Sequence, residues 1–167
     1  VKLKQEIEHL GTKPSLGILC VGEDKASLQF INVKKKFGER CGFTVNILNY
    51  TPRIYRVVEE EVEEIRNNLI NLQKENGAVI LQLPLPEKFK EFTENILSVI
   101  KKEKDVDDLN DGYYEAPIVL ALEKTMKEVK GVDFEQVRFG IVGLGQVVGM
   151  PIKNYLEKNN FNFEVIK

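Results

Sequence analysis

Four stretches of the chain carry side chains whose types and spacing could do chemistry. In residues 77–86, GAVILQLPLP, the apolar run Ala78-Val79-Ile80-Leu81 has the pattern of a parallel strand covered on both faces. A lone amide, Gln82, comes next. Pro84 and Pro86 then end any strand ladder, because proline has no N–H to donate. A polar side chain is thereby delivered to the carboxyl end of a central strand, where open α/β sheets bind ligands. In residues 26–34, Ser27, Phe30 and Lys34 fall at helical spacings of three and four and share one face. A hydroxyl, an aromatic ring and an amine on one face could grip a flat heterocycle. The same spacing also suits an amphipathic helix with Phe30 in the core and Lys34 snorkelling outward. Spacing alone favours that second reading, and Lys35 and Lys36 make Lys34 less distinctive.

The third stretch, Lys104-Asp105-Val106-Asp107-Asp108, places two carboxylates two residues apart. They could be a metal pair, substrate ligands or a solvated turn, and the turn is the expectation for such residues alone. The fourth, Gly143-Leu144-Gly145-Gln146-Val147-Val148-Gly149, follows an apolar strand pattern and opens a helical one. Its first two glycines suit a tight turn with close phosphate approach at a helix N-terminus. The spacing is one residue longer than the usual dinucleotide fingerprint, and a turn that merely needs small residues reads the same way.

The elements that must position these stretches alternate. A helix is expected over 2–10, a strand over 16–22, and a helix capped by Asp24 that runs to about Cys41 and stops at Gly42. A strand over 43–50 precedes a long charged helix, for which Thr51-Pro52 is a good N-cap and N1 pair. The strand of the first stretch follows, then a helix over about 88–102, the charged loop KEKDVDDLNDG and a helix over about 116–130. Strand 137–143, helix 149–159 and strand 161–166 complete the chain. Strands alternating with helices predict an α/β fold with parallel sheets. The interruption over 103–132 reads as the hinge between an N-terminal α/β domain and a second βαβ unit.

The 167 residues amount to one domain or slightly more. With 43% apolar and 30% charged residues the composition is that of a globular protein, and a net charge of −2 gives no drive toward nucleic acid or anionic membrane. No apolar run reaches membrane-spanning length, and no signal peptide is recognisable. Cys20 and Cys41 read as buried reduced thiols of a cytoplasmic protein. His9 reads as a surface residue. One histidine and no CxxC argue against a protein-built metal site, so none is expected.

Together, PSLGILCVGEDKASLQFINVKKK, GAVILQLPLP, KDVDD and GIVGLGQVVGMP occur in the order and chemistry of one known family. Over about 14–151 the chain resembles the bifunctional methylenetetrahydrofolate dehydrogenase/methenyltetrahydrofolate cyclohydrolases. The resemblance implies an N-terminal three-layer α/β folate domain with a parallel sheet, residues 1–115. The first part of a Rossmann-like dinucleotide-binding domain, residues 116–167, would follow. It implies tetrahydrofolate as substrate, NADP as cofactor with NAD possible, and a homodimer. It also implies roles for residues. Lys34 matches the family's catalytic lysine, Gln82 the glutamine that hydrogen-bonds it, and Asp107 the residue that holds the pterin's amino edge. Ser27, Phe30, Leu83 and Pro84 would contact substrate. Gly143, Leu144, Gly145, Gln146, Val148 and Gly149 would contact the cofactor.

The chain departs from the family pattern at several of these positions. Phe30 stands where tyrosine is usual, and Asp108 replaces the glycine of DVDG, a change that aspartate tolerates comparatively well if positive φ is needed. Residues 114–117, Tyr-Glu-Ala-Pro, stand where the family has PCTP. Leu144 and Gly145 replace an arginine and a serine, and loss of the arginine argues against strong preference for a 2′-phosphate. The sequence starts at Val1 and stops at Lys167, at the tip of the second Rossmann strand, so a fragment of a longer protein is expected. Three functions are then open: the complete bifunctional enzyme, a cyclohydrolase without dehydrogenase activity, and a non-catalytic folate-binding or dimerising module.

Overall fold

The computed structural model describes residues 2–110 and 113–166, without the side chain of Lys2. The last two residues of the charged loop, Asp111 and Gly112, and the chain ends Val1 and Lys167 lie outside the described residues. A first helix, α1 (Lys2–Glu8), leads into β1 (Ser15–Val21), α2 (Lys25–Cys41), β2 (Thr44–Tyr50), α3 (Val58–Glu75) and β3 (Ala78–Gln82). The three strands form one parallel sheet in the order β2-β1-β3. Cys20 faces Asn49 on one side and Gln82 on the other, so all three strands end at the same level.

Helices cover both faces. Alternate residues of β1 point to opposite sides. Leu19 and Val21 join Val79 and Leu81 under α3, whose Val62, Ile65, Leu69 and Leu72 are buried against them. Ile18 and Cys20 join Ile80, Val45 and Ile31 of α2 on the other face. The largest fully buried side chains include Phe89, Ile65 and Leu69, each worth about 1.5–3 kcal/mol on burial. At Gly17 a β-carbon would lie 2.6 Å from Leu72 Cγ, so the bare backbone lets α3 pack closely on the central strand.

Local chemistry sets the bounds of α2. Asp24 caps it by accepting the Ser27 N–H at 2.7 Å. Gly42, at φ 100°, ends it in the left-handed conformation, with the Phe43 N–H bonded to the Gly38 carbonyl at 2.9 Å.

Two expected helices differ. The helix predicted from Thr51-Pro52 begins only at Val58. Glu61, fully buried on the apolar stripe of α3, accepts the Arg53 N–H at 2.6 Å, the Tyr50 hydroxyl at 3.3 Å and the Lys88 ammonium. Those bonds fold residues 51–57 back over the helix start. The helix predicted over 88–102 is instead a 3-10 turn (Glu87–Phe92), a short α4 (Thr93–Leu97) and a second 3-10 turn (Lys102–Lys104). The buried Gln73 amide explains the break. It donates to the Val99 carbonyl at 2.9 Å and accepts the Lys101 N–H at 2.7 Å, taking both backbone groups away from a helix.

After α5 (Pro117–Glu128), β4 (Arg138–Val142), α6 (Gly149–Lys158) and β5 (Asn162–Ile166) form a second, two-stranded parallel sheet. Ile141 of β4 and Leu156 of α6 are the buried apolar side chains of this unit, and Phe161 packs edge-on against Phe139 at 5.6 Å between ring centres. No helix among the described residues is long and apolar enough to cross a membrane.

Candidate functional site

The carboxyl end of the first sheet gathers three of the residues singled out above. Lys34, in the third turn of α2, places its Nζ 3.3 Å from Asp107 Oδ2 and 5.0 Å from the centre of the Phe30 ring. Both charged side chains are mostly covered, with 20% and 16% of their surface exposed. A cation over a ring face is attracted by the ring quadrupole, so the phenyl group helps hold the amine in place. Phe30 itself is 53% exposed, which overturns the core placement that spacing favoured. Its open face leaves room for a planar ligand.

Ser27, one turn earlier, is buried in the first turn of α2. Ile31 fills the core on the helix's inner side, while Phe30 stays largely exposed and Lys34 reaches Asp107.

Gln82 closes β3 and is buried. Its Nε2 donates to the Leu83 carbonyl at 2.7 Å, while its Oε1 is buried with no partner among the described residues. The expected hydrogen bond from Lys34 to Gln82 is therefore absent here, because the full charge of Asp107 attracts the ammonium more strongly than an amide oxygen does. The Leu83–Pro84 peptide is cis. Leu83 packs on the α3 side of the core and Pro84 is exposed beside it.

The turn carrying Asp107 is not the solvated loop expected. Asp105 is 1% exposed, and its carboxylate accepts the Asn110 N–H at 2.9 Å and the Leu109 N–H. Burial pushes its carboxyl above the ordinary value, the two N–H bonds pull it back, and the charges of Asp108 and Asp107 push it up again. Asp108 adopts φ 54°, the left-handed conformation for which the family's glycine suggested a need. Among the described residues no three His, Cys, Asp or Glu side chains are placed to hold a metal ion.

Cys20, level with Gln82, is a buried free thiol whose value is raised by burial and then by Asp24, which suits an inert core residue. Cys41 is likewise buried and free, and His9 is exposed.

The second turn, residues 143–149, is shaped by missing side chains. Gly143 sits at φ 77°. A β-carbon on Gly149 would lie 2.7 Å from Leu144 Cα and closer still to the Gly143 carbonyl oxygen, so the start of α6 packs directly on the turn. Nothing lies within 4 Å of the β-carbon position of Gly145, which leaves its backbone open to a phosphate. Leu144, Gln146 and Val148 are exposed around it. The backbone fits a pyrophosphate at a helix N-terminus, and Leu144 brings no charge to it. No hydrogen bond among the described residues joins this turn to Lys34, Gln82 or Asp107.

Reading the sequence missed Asp105 and Glu61 as organising groups. For Glu61 a signal existed, since it lies four residues before Ile65 and eight before Leu69, on the buried stripe.

Residues 1–107 match the family model of the tetrahydrofolate dehydrogenase/cyclohydrolase catalytic domain. The bifunctional protein FolD of Rickettsia typhi is 32% identical, over 95% of this chain and 58% of its own length. FolD of Staphylococcus aureus strain JH9 is 27% identical, over 98% of this chain and 59% of its own. Among solved structures, the bifunctional FolD of Campylobacter jejuni superposes with a TM-score of 0.78 at 26% identity, covering 98% of this chain and 61% of that one. The chain thus spans about three fifths of the length of these relatives. With the catalytic-domain match running through both Lys34 and Asp107, the chain belongs to the tetrahydrofolate dehydrogenase/cyclohydrolase family.

Proposed function

We propose that this chain carries the folate site of an enzyme with two linked activities. It oxidises 5,10-methylenetetrahydrofolate to the methenyl form and hydrolyses that product to 10-formyltetrahydrofolate. The observation that carries the reading is the Lys34–Asp107 pair beside the open Phe30 ring at the end of a parallel sheet. Asp107 can accept two N–H bonds from the 2-amino-4-oxo edge of a pterin, a bidentate match. The Phe30 ring offers a face for stacking, with Ser27, Leu83 and Pro84 as further substrate contacts.

A pterin that engages Asp107 competes with Lys34 for the same carboxylate and so releases the amine. Gln82 Oε1, a buried acceptor with no partner among the described residues, is then available to orient it. In its neutral form the amine takes a proton from water as the oxygen bonds to the methenyl carbon and the C=N electron pair moves onto nitrogen; the C–N5 bond of that adduct then breaks, and N5 takes the proton back from the ammonium. In the oxidation, NADP or NAD held at the second turn would supply the hydride acceptor. Gly143, Gly145 and Gly149 would hold its pyrophosphate, and Leu144, Gln146 and Val148 would flank it. Leu144 supplies no cation for a 2′-phosphate, which favours relaxed choice between the two nucleotides.

Residues 1–115 act in this reading as the folate domain and 116–167 as the opening part of the nucleotide domain, in a cytoplasmic homodimer. The test follows loss of methenyltetrahydrofolate absorbance. Wild type should hydrolyse it above background, and Lys34→Ala should be slower by about 10²–10⁴-fold, the usual share of a general base. Equal rates would remove Lys34 from the mechanism, and no hydrolysis by wild type would remove the activity.

A further inference from the structure

The turn that presents Asp107 is held on both sides of that residue, so that the Asp107 carboxylate is left to meet Lys34. Its backbone starts as a parallel bridge between Asp105 and Val79 of β3, and the Asp105 N–H bonds back to the Lys101 carbonyl at 3.1 Å. Val106 packs into the core on the α2 side, while Leu109 packs into the core on the α3 side. The turn therefore straddles the edge of the sheet. Asp108 makes the left-handed bend at φ 54°. The loop is closed by the Asp105 carboxylate, which reaches forward to the N–H groups of Leu109 and Asn110. Asn110 adds a bond from its Nδ2 to the Ile100 carbonyl at 3.4 Å.

A carboxylate this deeply buried is costly, and Asp105 stands close to two further acidic residues, Asp107 and Asp108. A turn that only needed closing could use a neutral acceptor. A charged acceptor makes shorter and stronger bonds to the two N–H groups, and so fixes the turn more tightly.

We infer that Asp105 is a positioning residue: by closing the 105–110 turn it sets the direction in which Asp107 offers its carboxylate to Lys34 and to a pterin. The pterin half of this inference rests on the proposed folate reading, and the Lys34 half does not.

The test uses the chain with Asp105→Ala, Asp105→Asn and, as a reference, Asp107→Ala. Two quantities are read for each folded variant. One is the affinity for tetrahydrofolate by titration calorimetry. The other is the Lys34 resonance after reductive ¹³C-methylation of the lysines, assigned with Lys34→Arg. Misplacing a binding group by about an ångström can cost up to ~100-fold, so Asp105→Ala should bind about tenfold or more weakly. Its Lys34 signal should move toward that of Asp107→Ala. Asp105→Asn keeps one acceptor oxygen and should fall between wild type and alanine in both readouts.

A role confined to stability would lower the melting temperature of Asp105→Ala and leave affinity and the Lys34 signal unchanged; that result overturns the inference. If the alanine variant does not fold, the asparagine variant decides, and wild-type values in both readouts overturn the inference. If wild type binds no tetrahydrofolate, the folate reading fails, and the Lys34 signal alone decides the role of Asp105.

Discussion

Two turns border parallel strands, and they are built on opposite principles. The turn over 105–110, beside β3, is defined by side chains: a buried carboxylate, two apolar anchors in different cores and an ion pair to Lys34. The turn over 143–149, after β4, is defined by their absence: Gly143 at positive φ, Gly145 in open space and Gly149 pressed against the turn backbone. The first can tell one ligand from another by hydrogen bonding and charge. The second can only admit or refuse an approaching group, because backbone N–H groups and a helix end offer the same partners to any phosphate. In a site for two ligands, selectivity for the heterocycle would then sit in the first turn.

The sharpest way to break this contrast is Asp107→Ala. It removes two proposed charge-assisted hydrogen bonds, each worth about 1.5–3 kcal/mol, so pterin affinity should fall by about 100-fold or more. Calorimetric titration with tetrahydrofolate measures it. An unchanged affinity would mean that the first turn does not read the heterocycle.

Gly149→Ala tests the second turn. With Leu144 Cα 2.7 Å from the new methyl group, backbone has to shift, and overpacking of this kind costs about 1–3 kcal/mol. Hydrogen exchange in α6 should quicken while exchange in β1 and β3 stays as in wild type.

A smaller effect is expected in the pH dependence of stability. Asp105 is raised in the folded state, chiefly by burial, so the folded protein holds its proton more readily than the unfolded chain does. Its contribution is therefore greatest at low pH and is lost as pH climbs from the unfolded carboxyl value through the folded one. Asp105→Asn lacks that titration, so its stability relative to wild type should rise across the same window. Denaturant melts at several pH values would show it, and a flat difference would contradict the assigned burial.

Smallest of all should be Gly145→Ala. Nothing lies within 4 Å of its β-carbon position, so stability should change by less than about 0.5 kcal/mol. A nucleotide pyrophosphate would nevertheless meet the added methyl group, and weaker nucleotide binding with an unchanged melting temperature would separate admission from folding.

Elements governed by neighbours along the chain are legible in the residues themselves. Asp24 and Gly42 bound α2 as their side-chain and backbone preferences predict, and the apolar runs of β1 and β3 form the expected parallel strands. The left-handed bend at Asp108 is suggested only through the resemblance, whose usual residue at that place is glycine. Groups whose partners are distant in the chain escape such a reading. Thr51-Pro52 looks like a helix start, yet Glu61 and Lys88 hold the following residues out of the helix. The predicted helix over 88–102 fails because Gln73, far upstream, takes its backbone bonds.

The candidate site divides in the same way. The residue types at 27, 30, 34, 82 and 107 can be read directly, but their spacing alone favours an ordinary helix face and a solvated turn, and only the resemblance to a known family suggests a pterin site. Which of them meet cannot be read directly. Spacing along α2 puts Phe30 in the core, and only the packing of Ile31 on the sheet turns the ring outward. Resemblance pairs Lys34 with Gln82, whereas the folded chain pairs it with Asp107 across 73 positions of sequence. The sequence by itself determined the caps of α2, the strands and the chemical inventory, because those depend on a few adjacent residues. Tertiary structure alone decided exposure, ionic partners and the burial of Asp105, because each depends on which distant segments exclude water from the same place.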